Sequence, residues 1–209
     1  MDVTDPAQTN LMSDPAVIAA WIVVIAGFLT TAIVVLWQRS IAKKNATLDV
    51  LFRFRENPEH IQITADFLGL WENKSSVLHM STLDMLLAIK DPEDFSSWPS
   101  GMVEERQKID RFLNRYKMIS IGINVHALHE HLFKRCWRSI FVRHYIRSLR
   151  YIYYQQRINP VIFIAYSVLA EKWMTSQESE ECRFLKQDLE KEISVYENKH
   201  GINFRDRYR

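Results

Sequence analysis

Histidine, arginine and cysteine side chains supply most of the chemistry this chain could do. His126, His129 and His131 surround Glu130. Imidazole and carboxylate suit zinc or another transition metal. On a helix running through 126, the positions 126, 129 and 130 would share a face. The acid falls between the second and third histidines, however, so there is no HExxH pair, and no CxxC completes a ligand set. These three histidines are weak metal candidates, and the expectation is no metal and no cofactor. Cys136 lies between Arg135 and Trp137, where cations could favour a thiolate. Its place beside an aromatic seam favours a structural role instead. The glycines are isolated at 27, 69, 101, 122 and 201, so no phosphate-cradling loop exists, and there is no G-x-S-x-G elbow. The chain reads as a non-enzyme.

The stronger signal is a row of arginines. At about 100° per residue, Arg143, Arg147, Arg150 and Arg157 fall in one stripe, with Tyr154 among them. Trp137, Phe141, Tyr145, Leu149 and Ile152 fall opposite. Guanidinium groups beside aromatics suit phosphate, from lipid headgroups or nucleic acid. Charge placement offers another reading. Net charge is +2, yet residues 49–105 carry eleven acids and four Lys/Arg, whereas 111–157 carry ten Lys/Arg and one acid. The row is either a binding face or is paired internally with the acidic segment 49–105.

These groups need elements to position them, and the first is an anchor. Ala16 to Trp37 is 22 residues without a charge. As a helix it spans about 33 Å, against a bilayer core of about 30 Å. Lipid leaves no partner for backbone polar groups, so such a run must be helical. Arg39, Lys43 and Lys44 follow it, and residues 1–15 contain no Lys or Arg. The positive-inside rule then predicts an N-terminus outside and a cytoplasmic domain. Trp21 and Trp37 are candidate interface anchors. A cleaved signal peptide fits poorly, with no basic n-region and too long an apolar run. Ala16/Ala20, Ala26/Thr30 and Gly27/Thr31 have spacing that permits helix–helix packing. In a cytoplasmic domain the two cysteines stay reduced, and the sequons at Asn45 and Asn73 are silent.

The rest reads as all-α, since no stretch alternates with period two. Expected segments are a short outer N-terminus (1–15), the span (16–37), a basic juxtamembrane stretch (38–46), a helical domain (47–174) and an amphipathic C-terminal helix with tail (175–209). Within the domain, helicity from Thr47 to Glu56 stops at Asn57-Pro58. A helix from Glu59 to Trp71 turns Ile61, Ala65, Phe67 and Leu68 inward. Ser81-Thr82-Leu83-Asp84 opens another, and Asp91 to Gly101 reads as a loop. Met102–Ile121 is helical, with a break at Gly122–Val125. A long helix runs from about Ala127 to Arg157, ending at Asn159-Pro160. Val161–Met174 is a core helix, too polar at its end for a second span. The final helix (178–199) is apolar at Cys182, Leu185, Leu189, Ile193 and Tyr196, and self-association through it is an alternative to packing on its own domain. The whole is one transmembrane helix plus a cytoplasmic bundle of about six helices.

The order ATLDVL, RQKIDRFLNRYKMISIGI, a histidine-bearing turn, CWRSIFVRHYIRSLRYI, Asn159-Pro160 and LAEKW resembles the bacterial and phage-borne DUF4760 group over residues 44–174. Where that group often carries Gly and acids after the IGI step, this chain has Asn124-Val125-His126. The resemblance implies a helical fold and a bacterial or phage setting, with no reaction attached. The expectation is an inner-membrane, single-pass interaction module of prophage-accessory or exclusion type, with the membrane and an unidentified protein as partners and nucleic acid not expected. The alternative is a membrane-docked binder of phosphate-rich ligands through the arginine stripe.

Overall fold

The computed structural model describes residues 15–80 and 100–200. Among these are six helices and no strand: α1 (Pro15–Glu56), α2 (Pro58–Glu72), α3 (Ser100–Asn124), α4 (Glu130–Ile158), α5 (Ile164–Trp173) and α6 (Ser176–His200). The expected helix from Ser81 and the expected loop from Asp91 as far as residue 99 lie outside the described residues. That loop's last two residues, Ser100 and Gly101, already belong to α3. The chain divides into two units, Met1–Lys43 and Lys44–Arg209.

The first unit carries the one described helix long and apolar enough to cross a membrane, with none of its most apolar stretch buried in protein. The two most polar side chains of the apolar run 16–37 are satisfied locally. Thr30 donates its hydroxyl to the Ala26 carbonyl and Thr31 to that of Gly27, both at 2.8 Å. A hydroxyl closed onto its own helix carries no unmet hydrogen bond into an apolar medium. Trp21 and Trp37 are exposed at either end of the apolar stretch.

In the second unit an aromatic core forms where α2, α3, α4 and α5 meet. Phe67 stacks on Phe112 with ring centroids 3.8 Å apart. Tyr116, Phe141 and Tyr166 form a contiguous cluster beside them. Buried tyrosines need partners for their hydroxyls, and each of these has one. Tyr151 donates to Asp110 at 2.7 Å, and Tyr166 to the Phe141 carbonyl at 3.0 Å. Pairings of Tyr116 with His144 and of Asp110 with Tyr151 make α3 and α4 antiparallel. The end of α1 runs parallel to the start of α4. Thr47, fully buried, accepts the His129 N–H at 2.7 Å, and Phe54 meets Trp137 edge-on at 4.9 Å.

Three expectations are corrected in detail. Asn57 caps α2, accepting from the Glu59 N–H at 2.9 Å, as an Asn-Pro start should. The buried stripe of α2, however, is Ile63, Phe67 and Leu70, while Ile61 is 53% exposed and Ala65 is also exposed. Ile61 lies about 200° from Ile63 around the helix, so both cannot face one core. The break at Gly122 comes later than expected. α3 runs to Asn124 and closes in a Schellman cap: His126 N–H bonds the Ile123 carbonyl, Ala127 N–H bonds that of Gly122, and His126 takes φ 57°. A Cβ on Gly122 would stand 3.0 Å from the Leu128 side chain, so glycine permits that closure. Finally, α5 starts at Ile164 rather than Val161, because Phe163 is buried in the left-handed region at φ 55° and turns the chain first.

His144 sits in this core with its Nδ1 2.7 Å from the Tyr116 hydroxyl. Burial, then the charges of Arg147 and Arg143, push its pKa down from 6.5 to about 4. Between those values the unfolded chain binds the proton and the folded chain does not. The contribution of neutral His144 is therefore complete above pH 6.5 and lost as pH falls toward 4. The shift corresponds to about 3 kcal/mol. Denaturant midpoints measured across pH 4–7 should fall less steeply in a His144→Gln variant than in the unaltered chain. Parallel profiles would contradict this role.

Candidate functional site

The described residues assemble no group of three His, Cys, Asp or Glu able to hold a metal. The histidine cluster fails for a local reason. No helix runs through 126, because His126 is the left-handed residue that ends α3. His129 is the N-cap of α4, its Nδ1 accepting from the Leu132 N–H at 3.2 Å. Glu130 accepts from Lys172 Nζ at 2.7 Å and Trp173 Nε1 at 3.0 Å. These hydrogen bonds, with those from Lys172 and Trp173 foremost, hold its carboxyl below the ordinary range. His131 is exposed on the first turn of α4.

Cys136 departs from the structural role expected of it, while Cys182 follows the apolar face expected of the last helix. Cys136 is exposed, while Cys182 on α6 is buried and burial pushes its thiol pKa up. Position 136 is one step, about 100°, from Trp137, which suffices to turn it out of the seam.

Three of the four arginines of the row come together. Arg143, Arg147 and Arg150 line one cleft of about 660 Å³, bounded by Trp71 at the end of α2, by His79 in the loop beyond it and by Leu185 on α6. Arg143 is exposed and makes no ion pair among the described residues. The Arg147 guanidinium lies over Trp71, 5.4 Å from the ring centroid. His79 fixes that ring from its other neighbour, with Nε2 2.5 Å from the Trp71 carbonyl oxygen and ring centroids 4.7 Å apart. Arg150 pairs with Glu192 at 3.4 Å. Arg157 is drawn away from the cleft to Glu190 and to the Tyr153 hydroxyl, the latter at 2.9 Å. Tyr154 does not join the row: it is 1% exposed and belongs to the core side with Phe141, Tyr145, Leu149 and Ile152. Trp137 is partly buried against the same core.

The acids that meet this row come from α6 and, among the described residues, not from the segment 49–105. Within that segment Asp49 pairs with Arg53, Glu59 with Arg115, and Glu105 accepts from the Val77 N–H. On α6, Glu178 pairs with Arg138. Burial pushes the Glu178 carboxyl up, but the Thr175 N–H and hydroxyl together with Arg138 hold it below the usual carboxylate range. Glu181 also borders the cleft.

Sequence reasoning missed Trp71 and His79. A helix-end tryptophan and a loop histidine carry no local mark; they become site residues because Ser76 and Val77 pin the loop back, to the Leu70 carbonyl and to Glu105. Beyond the apolar run, Arg39 and Lys44 are exposed and Lys43 is partly so.

A family model described as a domain of unknown function, DUF4760, matches residues 16–173. The match starts at the apolar run rather than at 44, so it takes in the long apolar helix, and it stops before α6. Neither the curated proteins nor the solved structures contain a match.

Proposed function

Since the chain belongs to the DUF4760 family of domains of unknown function, a membership that assigns no reaction, we propose that it is a membrane-tethered, non-enzymatic helical module that binds a soluble phosphate-bearing ligand in the arginine cleft. The observation that carries this reading is the convergence of Arg143, Arg147 and Arg150 on one cavity. Its volume, about 660 Å³, falls in the range of small-ligand sites. Leu78, Ile146 and Leu149 give it an apolar floor under the guanidinium rim. Planar guanidinium forks match phosphate oxygens in pairs, and among the described residues two of the three arginines have no carboxylate partner.

The proposed orientation places the N-terminus outside and the domain in the cytoplasm, where phosphate-rich metabolites abound. It rests on Arg39, Lys43 and Lys44 following the span and on the lack of Lys and Arg in residues 1–15.

Two measurements test this. A reporter enzyme active only outside the cytoplasm, fused after residue 209, should stay silent; activity would reverse the orientation. The full chain in neutral-lipid discs should bind pyrophosphate with salt-sensitive affinity, and an R143Q/R147Q variant should lose at least about tenfold and flatten the salt dependence. Unchanged affinity and salt profile in that variant would overturn the cleft as the site.

A further inference from the structure

α6 is attached to the domain differently from every other helix. It starts at Ser176, beyond the family-matched residues, which end at 173. Five of the ten residues of α5 are buried. Among the described side chains of α6 only Cys182, Leu189 and Ile193 are, with Leu185 partly so, and Phe184 and Val195 stand exposed on the outside. What α6 lacks in apolar contact it makes up in charge. Glu178, Glu192 and Glu190 engage Arg138, Arg150 and Arg157 in turn, and Lys186 engages Glu171 at 2.8 Å. The fit is imperfect: Glu192 Oε2 is buried with no hydrogen-bond partner among the described residues.

The seat beneath combines apolar side chains with arginines. Ile146 and Leu149 lie by Leu185, and Tyr153 and Met174 lie by Cys182. Arg138, Arg150 and Arg157 edge it over 19 residues of α4, about 29 Å. Glu178 and Glu192 are about 21 Å apart along α6, close to the roughly 18 Å between Arg138 and Arg150 on α4. An apolar floor bounded by guanidinium groups is the complement of an amphipathic helix bearing carboxylates.

We infer that this seat is a docking groove for an acidic amphipathic helix, with α6 as its resident occupant, and that a partner helix of the same chemistry displaces α6. The inference rests on the reading of the arginine face of α4 as a binding face. A competing helix must offer apolar residues at the spacing of Cys182, Leu185, Leu189 and Ile193 and glutamates at the positions of Glu178, Glu190 and Glu192. Arg150 edges the groove and also lines the cleft with Arg143 and Arg147, so the two sites share an edge.

Cys182 reports the seat directly. It is 3% exposed and its thiol is held toward the unreactive, protonated form by burial. In a Cys136→Ser chain it is the sole thiol. The experiment follows the thiol-labelling rate of that full chain in neutral-lipid discs. The probe is a synthetic peptide of residues 176–200 carrying C182S, and its control carries E178Q, E190Q and E192Q as well. The acidic peptide should speed labelling at least about fivefold in a saturable manner, and the control should not. In the chain itself, E178Q/E190Q/E192Q should raise the rate with the aromatic core still melting cooperatively. Labelling that ignores the acidic peptide, or that rises only with global unfolding in denaturant, overturns the inference. The peptide arm decides the matter on the unsubstituted helix even if the triple variant does not fold. Pyrophosphate binding that survives while labelling fails to respond removes the groove alone; a labelling response without pyrophosphate binding removes the phosphate cleft alone.

Discussion

A guanidinium group cannot be taken out of water without a partner, whereas an aromatic ring gains by leaving it. That opposition, written along one helix, organises this domain. α4 carries Phe141, Tyr145, Leu149, Tyr151, Ile152 and Tyr154 on the side that is buried. Once those rings pack against α3 and α5, the arginines between them have no freedom to scatter. They are confined to the remaining face, and Arg143, Arg147 and Arg150 reach one cleft together. Even the buried polar groups serve the same packing: Tyr116, Tyr151 and Tyr166 each place a hydroxyl on an acceptor or shared partner, so the ring is buried without leaving a polar atom unmet.

The same opposition explains why α6 is the least committed element. A fully buried Leu or Ile side chain contributes about 1.5–3 kcal/mol, and a partly exposed ion pair about 0–1 kcal/mol. With Cys182, Leu189 and Ile193 buried and its charge contacts half in solvent, α6 is held by modest terms. α5, with Trp173, Tyr166 and Leu169 fully interior, is part of the core and is not a candidate for release. The family match ends between these two helices. The end of the match coincides with the step from the tightly buried α5 to the more loosely held α6.

Much of this was legible from residue patterns because it depends on local physics. The charge-free run 16–37, the stops at Asn57-Pro58 and Asn159-Pro160, and the aromatic face of α4 all follow from chain-local rules, and the structure has them. What was not legible required knowing the neighbour. Tyr154 sits near the arginines on a helical wheel, but the core reaches around α4 far enough to bury it. Ile61 is as apolar as Ile63, and only the direction of α3 decides which is covered. The histidine cluster dissolved because the Schellman cap at His126 ends one helix before the next begins, a backbone decision that glycine at 122 permits through Leu128. The arginines' acidic partners were sought in the nearest acidic stretch, whereas Glu190 and Glu192 come from α6, which runs parallel beside α4.

The claim at the centre of this account is that Arg143 and Arg147 form a ligand site rather than a solvated surface. Nitrogen-detected magnetic resonance of the arginine Nε–Hε groups, recorded on the full chain while pyrophosphate is added, tests it most directly. The account predicts that the signals of Arg143 and Arg147 shift together and saturate, while that of Arg157, held by Glu190 and Tyr153, stays in place. Shifts that spread over all exposed arginines without saturating, or no shift at these two, would contradict it.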